Sequence, residues 1–421
     1  MTICICPPAG HDEPGIPASY LPTLRASCRA HWRNVILEGD VHDCLKTLPA
    51  ESVQMVVTSP PYWQQRDYKV EGQLGREATI NEYVETLVDI FREVRRVLRP
   101  DGTLWLNIGD GYVTNPGNGR GGEAKDGIEM TGRPPHRSGG NKLGRGLKEK
   151  DLMGQPWRVA LALQADGWWL RNDCIWSKPN PTPQSVTDRA AMSHEYVFLL
   201  TKQPRYFYDH IAVQEPAKES SRRRIAQRNF AHQTGGPKDY RVTGVNRSRS
   251  SRKALEGFAR NGGEKRNLRT VWTIAPEPRT DEHFAAFPKK LVRPCILAGT
   301  SEWGACAACG APWTRIVKID DPDGRLGKSY HDHQDDLGRG QRGVPAADSR
   351  PVKRTVGWRP TCKHEAPVQP CLVLDPFMGS GTTAVVAWQT GRDYLGIELN
   401  PEYIAMAERR LAPIKAQGRL L

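Results

Sequence analysis

The chain has 421 residues, 38% hydrophobic and 25% charged, with ten Cys and a formal net charge of +13. Such a length and composition suit a soluble globular protein with one large or two smaller domains and polar insertions. No apolar run is long enough to span a membrane, and no basic start followed by an apolar core marks a secretory signal; the expectation is an intracellular, cytoplasmic chain with reduced thiols, in which paired Cys point to metal rather than disulfide.

Residues 1–30 lack periodicity and read as a loose leader. A short apolar strand at 34–39 ends in Gly39-Asp40, and the β-branched run Val53–Val57 stops at Pro60-Pro61, where a central strand cannot continue. Tyr83, Leu87, Ile90, Phe91, Val94 and Leu98 recur at helical spacing before Pro100-Asp101-Gly102, and Thr103–Ile108 is a buried strand. Strand, helix, strand is the grammar of a parallel sheet with crossover helices. Residues 114–150, rich in Gly, Asn, Arg and Lys, read as a long loop. A helix at 151–165 and strands at 168–177 and 194–201 follow. Between Lys218 and Arg269, fifteen Lys or Arg stand against four Asp or Glu, so this segment holds +11 of the total charge. A charge that localised is a polyanion-binding surface or a solvated basic tract. A helix start lies in 283–300, 301–370 is a second insertion, and the chain closes on strand, Gly-rich turn, helix, strand, helix.

The turn is Asp375-Pro376-Phe377-Met378-Gly379-Ser380-Gly381-Thr382-Thr383. Glycines let backbone approach a ligand, and a helix N-terminus favours anionic or polar groups. A P-loop needs Lys where Thr382 stands, which argues against a nucleotide triphosphatase. Glu398 ends the next strand about twenty residues on, where an acid accepts hydrogen bonds from ribose hydroxyls.

Thr58-Ser59-Pro60-Pro61-Tyr62-Trp63 is the most specific string. An exocyclic base amine is a poor nucleophile because its lone pair is delocalised into the ring. Two acceptors aimed at its hydrogens, such as the Ser59 side chain and the Pro60 carbonyl, draw that nitrogen toward tetrahedral geometry. Pro60 and Pro61 would hold the turn and Tyr62 could stack on the base. Positioning and electrostatics must then supply the rate, on a base that has left the duplex.

On these residues the chain resembles the DNA amino-methyltransferases that act on cytosine N4 or adenine N6, in the permuted beta arrangement: TSPPYW at 58–63 precedes DPFMGSGTT at 375–383. The resemblance implies an α/β fold, a Rossmann-like seven-stranded mostly parallel sheet with circularly permuted motif order, and S-adenosylmethionine as cofactor. Residue by residue it assigns Asp375, Phe377, Gly379, Gly381 and Thr382 to the cofactor loop and Glu398 to the ribose. Asp40 falls near the adenine, and Phe287 and Lys289 on a helix closing over the methionine end. It makes double-stranded DNA the partner, with Arg222, Arg223, Arg224 and Arg228 as phosphate contacts, or else as a solvated charge run. It divides the chain into a leader (1–30), a catalytic half (31–210), a basic recognition segment (211–270), the closing helix (271–300), an insertion (301–370) and a cofactor-binding half (371–421). Ser at position 59 favours cytosine N4; adenine N6 stays open. So do a homodimer and a cognate restriction enzyme.

Cys306-x-x-Cys309 and Cys362-x-His364 form a structural zinc pattern inside the 301–370 insertion. Cys371 is expected in the core. A non-catalytic DNA-binding protein with a degenerate core should show damage in TSPPYW, which is intact, and a dinucleotide oxidoreductase would have no use for that string.

Overall fold

The computed structural model describes residues 32–65, 70–113, 147–225, 265–277, 287–320 and 352–418. The expected leader, most of the 114–150 loop and Arg228 lie outside them, as does the side chain of Arg224. Two compact units emerge: Met1–Asp209 with Arg269–Pro312 and Pro360–Leu421, and His210–Leu268 with Trp313–Arg359.

The first unit opens with β1 (Val35–Glu38), α1 (Val41–Thr47), β2 (Val53–Thr58), α2 (Ile80–Val97), β3 (Leu98–Ile108), α3 (Gln155–Ala165), β4 (Trp169–Ser177) and β5 (His194–Thr201). The second unit contributes β6 (Glu215–Pro216), α4 (Glu219–Ile225) and β7 (Lys265–Arg266). Back in the first lie β8 (Val271–Thr273), α5 (Lys289–Gly299) and β9 (Ala305–Cys306). The second unit then adds an antiparallel pair, β10 (Thr314–Asp320) and β11 (Val352–Arg359). The first unit closes with β12 (Val368–Gln369), β13 (Leu372–Asp375), α6 (Thr382–Gln389), β14 (Asp393–Glu398) and α7 (Pro401–Ala416).

Two domain expectations change. The second unit draws on both insertions, and the stretch expected to be only a closing helix begins with strand β8. The main sheet has eight strands in the order β1-β14-β13-β2-β3-β5-β4-β8. Seven match the expected architecture; the eighth is the three-residue edge strand β8, paired parallel to β4. Strands β1, β14, β13, β2 and β3 run parallel, and β5 is antiparallel to its neighbours β3 and β4.

β2 is buried along its whole length and is apolar on both faces except for Gln54 and Thr58, whose side chains are hydrogen-bonded. Its successive residues point opposite ways: Val56 joins the core cluster formed with α1, α2 and α3, whereas Met55 meets Gly299 of α5, where an added Cβ would approach the Met55 sulfur to 3.2 Å. Helix α2 starts at a capping box between Thr79 and Glu82 and buries Tyr83, Leu87, Ile90, Phe91 and Val94 along one stripe. From the β13/β2 boundary the chain proceeds to β14 on one side and to β3 on the other. That is a topological switch point, and open α/β sheets bind ligands there, beyond the carboxyl ends of the strands.

Candidate active site

A cavity of about 430 Å³ opens at that point. The carboxyl ends of β2 and β14 supply Ser59 and Glu398 to its wall, the turn after β13 supplies Phe377, Gly379 and Thr382, and the residues around β1 and α5 supply Asp40 and Phe287. The size suits a nucleoside-sized ligand. Apolar walls (Phe287, Phe377, Ile90) alternate with the acidic residues Asp40, Glu77, Asp89 and Glu398, the mixture an amphipathic nucleoside needs.

The Glu398 carboxylate accepts the Gly379 amide at 2.7 Å and the Asn400 amide at 2.9 Å, one on each oxygen. Two lone-pair directions remain for ligand hydroxyls. Burial raises its pKa, against the opposing effect of those amides. Asp40 caps α1, its Oδ1 accepting from the His42 and Asp43 amides. Gly379 and Gly381 both have positive φ, +51° and +79°. At Gly381 an added Cβ would lie 2.7 Å from Ala407, so this glycine lets α6 approach α7 and does not face the cavity.

Two further expectations are corrected. Asp375 does not line the cavity: it is buried, accepting from Thr58 Oγ1 and Thr383 Oγ1, each at 2.6 Å, and from the Phe377 amide. It ties the end of β2 to the turn. Burial outweighs those three donors and pushes its carboxyl up to about 6. Lys289 is exposed at the start of α5 and also stands outside the cavity; its amide goes to Glu277.

The TSPPYW turn is fixed from several sides. The Tyr83 hydroxyl donates to the Pro61 carbonyl at 2.9 Å, and the Trp63 amide donates to Gln155. Ser59 and Pro61 line the cavity, whereas Pro60 between them is buried and does not; the Pro60 carbonyl accepts nothing from the described residues. Tyr62 stands outside the cavity, contrary to an open stacking platform. Its ring packs on the core and against Gly109, and its hydroxyl donates to Glu195 at 2.8 Å. Burial, then the Glu195 carboxylate, raise the phenol well above its usual pKa. Sequence reasoning missed Glu195 and Asn107, which flank this hydroxyl, and Lys178, which pairs with Glu195. The available signal was a Glu directly before the apolar run 196–200 of β5.

The DNA methylase family of N6 and N4 amino-methyltransferases matches residues 53–307 and 371–409. The chain belongs to this family. It is an S-adenosylmethionine-dependent DNA methyltransferase. Among its relatives, type II methyltransferase M.SmaI of Serratia marcescens is 37% identical over 377 residues, 89% of this chain and 90% of the relative. M.XycI of Xanthomonas campestris pv. cyanopsidis is 36% identical over 90% of this chain and 87% of its own length. The solved structure of PvuII DNA methyltransferase (cytosine-N4-specific) is similar at 16% identity and a TM-score of 0.46, covering 91% of this chain and 92% of that one.

A second constellation lies in the same unit. The side-chain ligand atoms of Cys306, Cys309, Cys362 and His364 all fall within 4.8 Å of one another. Cys306 and Cys309 flank a tight turn closed by the Gly310 amide on the Cys306 carbonyl at 2.7 Å, and β9 pairs with β12 just beyond. Cys371 is buried as expected.

In the second unit, Arg222 and Arg223 sit on α4, with Arg223 exposed and paired to Glu219 at 3.2 Å.

Proposed function

We propose that this methyltransferase modifies the N4 amine of cytosine at a specific double-stranded DNA site, on a base flipped out of the helix. The observation that carries the reading is the end of β2: Ser59 and Pro61 line the cavity, and the carbonyl of the buried Pro60 between them has no partner among the described residues while the Pro61 carbonyl is taken. Two unclaimed acceptors in succession suit the two hydrogens of an exocyclic amine. S-adenosylmethionine, when bound, supplies the methyl as an electrophilic sulfonium substituent. Glu398 would hold its ribose hydroxyls, Phe287 and Phe377 would wall its apolar parts, and Asp40 would face its adenine. Gly379 and Thr382 border the same space. Asp375 and Gly381 act on the cofactor only by shaping the turn, and no contact supports Lys289. Ser59 in this string favours cytosine over adenine within the family resemblance.

The test is Ser59→Ala. Methyl transfer should fall by on the order of a hundredfold or more, since one fixed group at a reacting centre is worth that much, while S-adenosylmethionine affinity stays unchanged. Transfer at the wild-type rate would remove Ser59 from the reaction.

The Cys306, Cys309, Cys362 and His364 set fits a structural zinc. Tetrahedral bonds of about 2.3 Å to sulfur put ligand atoms roughly 3.7 Å apart, which the observed spread accommodates. Such a metal would staple the two ends of the chain from which the Trp313–Arg359 segment departs.

The basic segment is the candidate DNA surface, with Arg222, Arg223, Arg224 and Arg228 as phosphate contacts.

A further inference from the structure

Four polar side chains form one chain of hydrogen bonds leading away from the cavity. Ser59 Oγ donates to the Tyr62 hydroxyl at 3.1 Å, and the Tyr62 hydroxyl donates to Glu195 Oε2 at 2.8 Å. Glu195 is held on its other side by the Lys178 ammonium through Oε1, and Asn107 Nδ2 donates to Oε2 at 3.1 Å. Lys178 is itself seated over the Trp176 ring, 4.5 Å from its centroid. The sheet brings these elements together: Asn107 is the last residue but one of β3, Glu195 the second of β5, and Lys178 follows β4, adjacent strands in the order β3-β5-β4. Gly109 leaves the room, because a Cβ there would lie 2.9 Å from the Tyr62 ring and 3.2 Å from the Glu195 carboxyl carbon.

The direction of this chain matters. A hydroxyl can donate or accept, whereas a carboxylate only accepts and an ammonium only donates. With Lys178 on one oxygen, Glu195 is fixed as the acceptor end; the Tyr62 proton points toward it at 2.8 Å in preference to the other acceptor in reach, Asn107 Oδ1 at 3.5 Å, and both lie on the side away from Ser59. The Tyr62 oxygen then receives the Ser59 proton. The Ser59 proton is thereby turned away from the cavity, and its lone pairs are left facing it. If the chain ran the other way, the Ser59 O–H would point at the N–H of an incoming amine and repel it.

We propose that Glu195, oriented by Lys178, is a positioning residue for methyl transfer: it sets the hydrogen-bond direction Ser59 to Tyr62 to Glu195, so that Ser59 meets the target amine as an acceptor. The proposal rests on the reading of Ser59 given above. It also explains why Tyr62 is half-buried against the core instead of lining the cavity: its hydroxyl is a link in the chain.

Glu195→Gln is the informative change, because it keeps the size and reverses the logic. Lys178 will claim the amide oxygen, which turns the NH2 toward Tyr62 and drives the Tyr62 proton back toward Ser59. The experiment compares single-turnover methyl transfer to target duplex by the wild type, Glu195→Gln, Tyr62→Phe, the double variant and Ser59→Ala. Dissociation constants for S-adenosylmethionine and for DNA, and melting temperatures, are measured for each.

Glu195→Gln should slow transfer by on the order of tenfold to a hundredfold, with both dissociation constants within about twofold of wild type. In the Tyr62→Phe background no hydroxyl remains to carry the direction, so adding Glu195→Gln should change the rate by less than about twofold. A wild-type rate in Glu195→Gln overturns the proposal. So does a double-variant loss equal to the product of the two single losses, which is what two independent structural defects would give. Should Glu195→Gln lose cofactor affinity or melt early, Tyr62→Phe alone decides, since it keeps the buried ring: transfer at the wild-type rate overturns the proposal and slowed transfer with intact cofactor binding supports it. An inactive Ser59→Ala beside a fully active Glu195→Gln discards the role of Glu195 and leaves Ser59 in place. A fully active Ser59→Ala discards the reading on which both depend.

Discussion

Asp375 shows how one carboxylate can match a family motif and still do something other than face the ligand. Two threonine hydroxyls and one amide satisfy it, yet burial dominates and its carboxyl is pushed up to about 6. A carboxyl raised in the folded state binds its proton more tightly there than in the unfolded chain, where its pKa is about 3.9. Its contribution to stability is therefore fully present below about pH 4 and lost as pH rises through about 6. Asp375→Asn removes that dependence. The stability difference between wild type and Asp375→Asn, followed by denaturant unfolding, should shift against the wild type by up to about 3 kcal/mol between pH 4 and 7. A difference that stays flat across that range would mean that Asp375 is ionised at its ordinary pKa. At this scale Glu398, Phe377 and Ser59 were legible because strand ends and Gly-rich turns have a fixed relation to the crevice of a parallel sheet. Glu195 was not: its partner Tyr62 is 133 positions away, and only the antiparallel pairing of β5 with β3 brings the two together.

Elements were legible in proportion to their periodicity. Helix α2, with seven buried residues on one stripe, and strand β5, with an unbroken apolar run, were evident from spacing alone. Strand β8 has three residues and one buried side chain, too little for a period to register. The insertion after α5 was legible only through its Cys and His. Its turn is anchored to the sheet: Gln54 of β2 donates to the Gly310 carbonyl at 3.1 Å and accepts the Leu372 amide of β13 at 2.6 Å, while Arg99 donates to the Cys309 carbonyl. A metal in this turn would therefore stabilise the amino-terminal ends of β2 and β13, opposite the cavity. Purified protein should carry one zinc per chain by elemental mass spectrometry. Cys306→Ser should lose the metal and lower the melting temperature, with little change in cofactor affinity. Metal-free wild type, with Cys306→Ser equally stable, would contradict the site.

At the scale of the whole molecule, the first unit contains the complete cavity and the second carries the described part of the basic segment. On the proposed reading of the basic segment, that division separates chemistry from affinity. Replacing Arg222, Arg223, Arg224 and Arg228 together by Ala should weaken DNA binding and reduce the slope of log affinity against log salt by roughly 0.9 for each phosphate no longer neutralised, leaving S-adenosylmethionine affinity intact. An unchanged slope would make these arginines a solvated tract and move the DNA surface elsewhere. The domain plan was only partly legible, because two insertions far apart in sequence combine into one unit, and no local pattern announces such a partnership.

The proposed act is a methyl group delivered to an amine held by Ser59 and the Pro60 carbonyl. The most direct measurement is nucleoside mass spectrometry of DNA treated with the enzyme and isotopically labelled S-adenosylmethionine. The account predicts label in N4-methyldeoxycytidine that disappears with Ser59→Ala. Label in N6-methyldeoxyadenosine would contradict it.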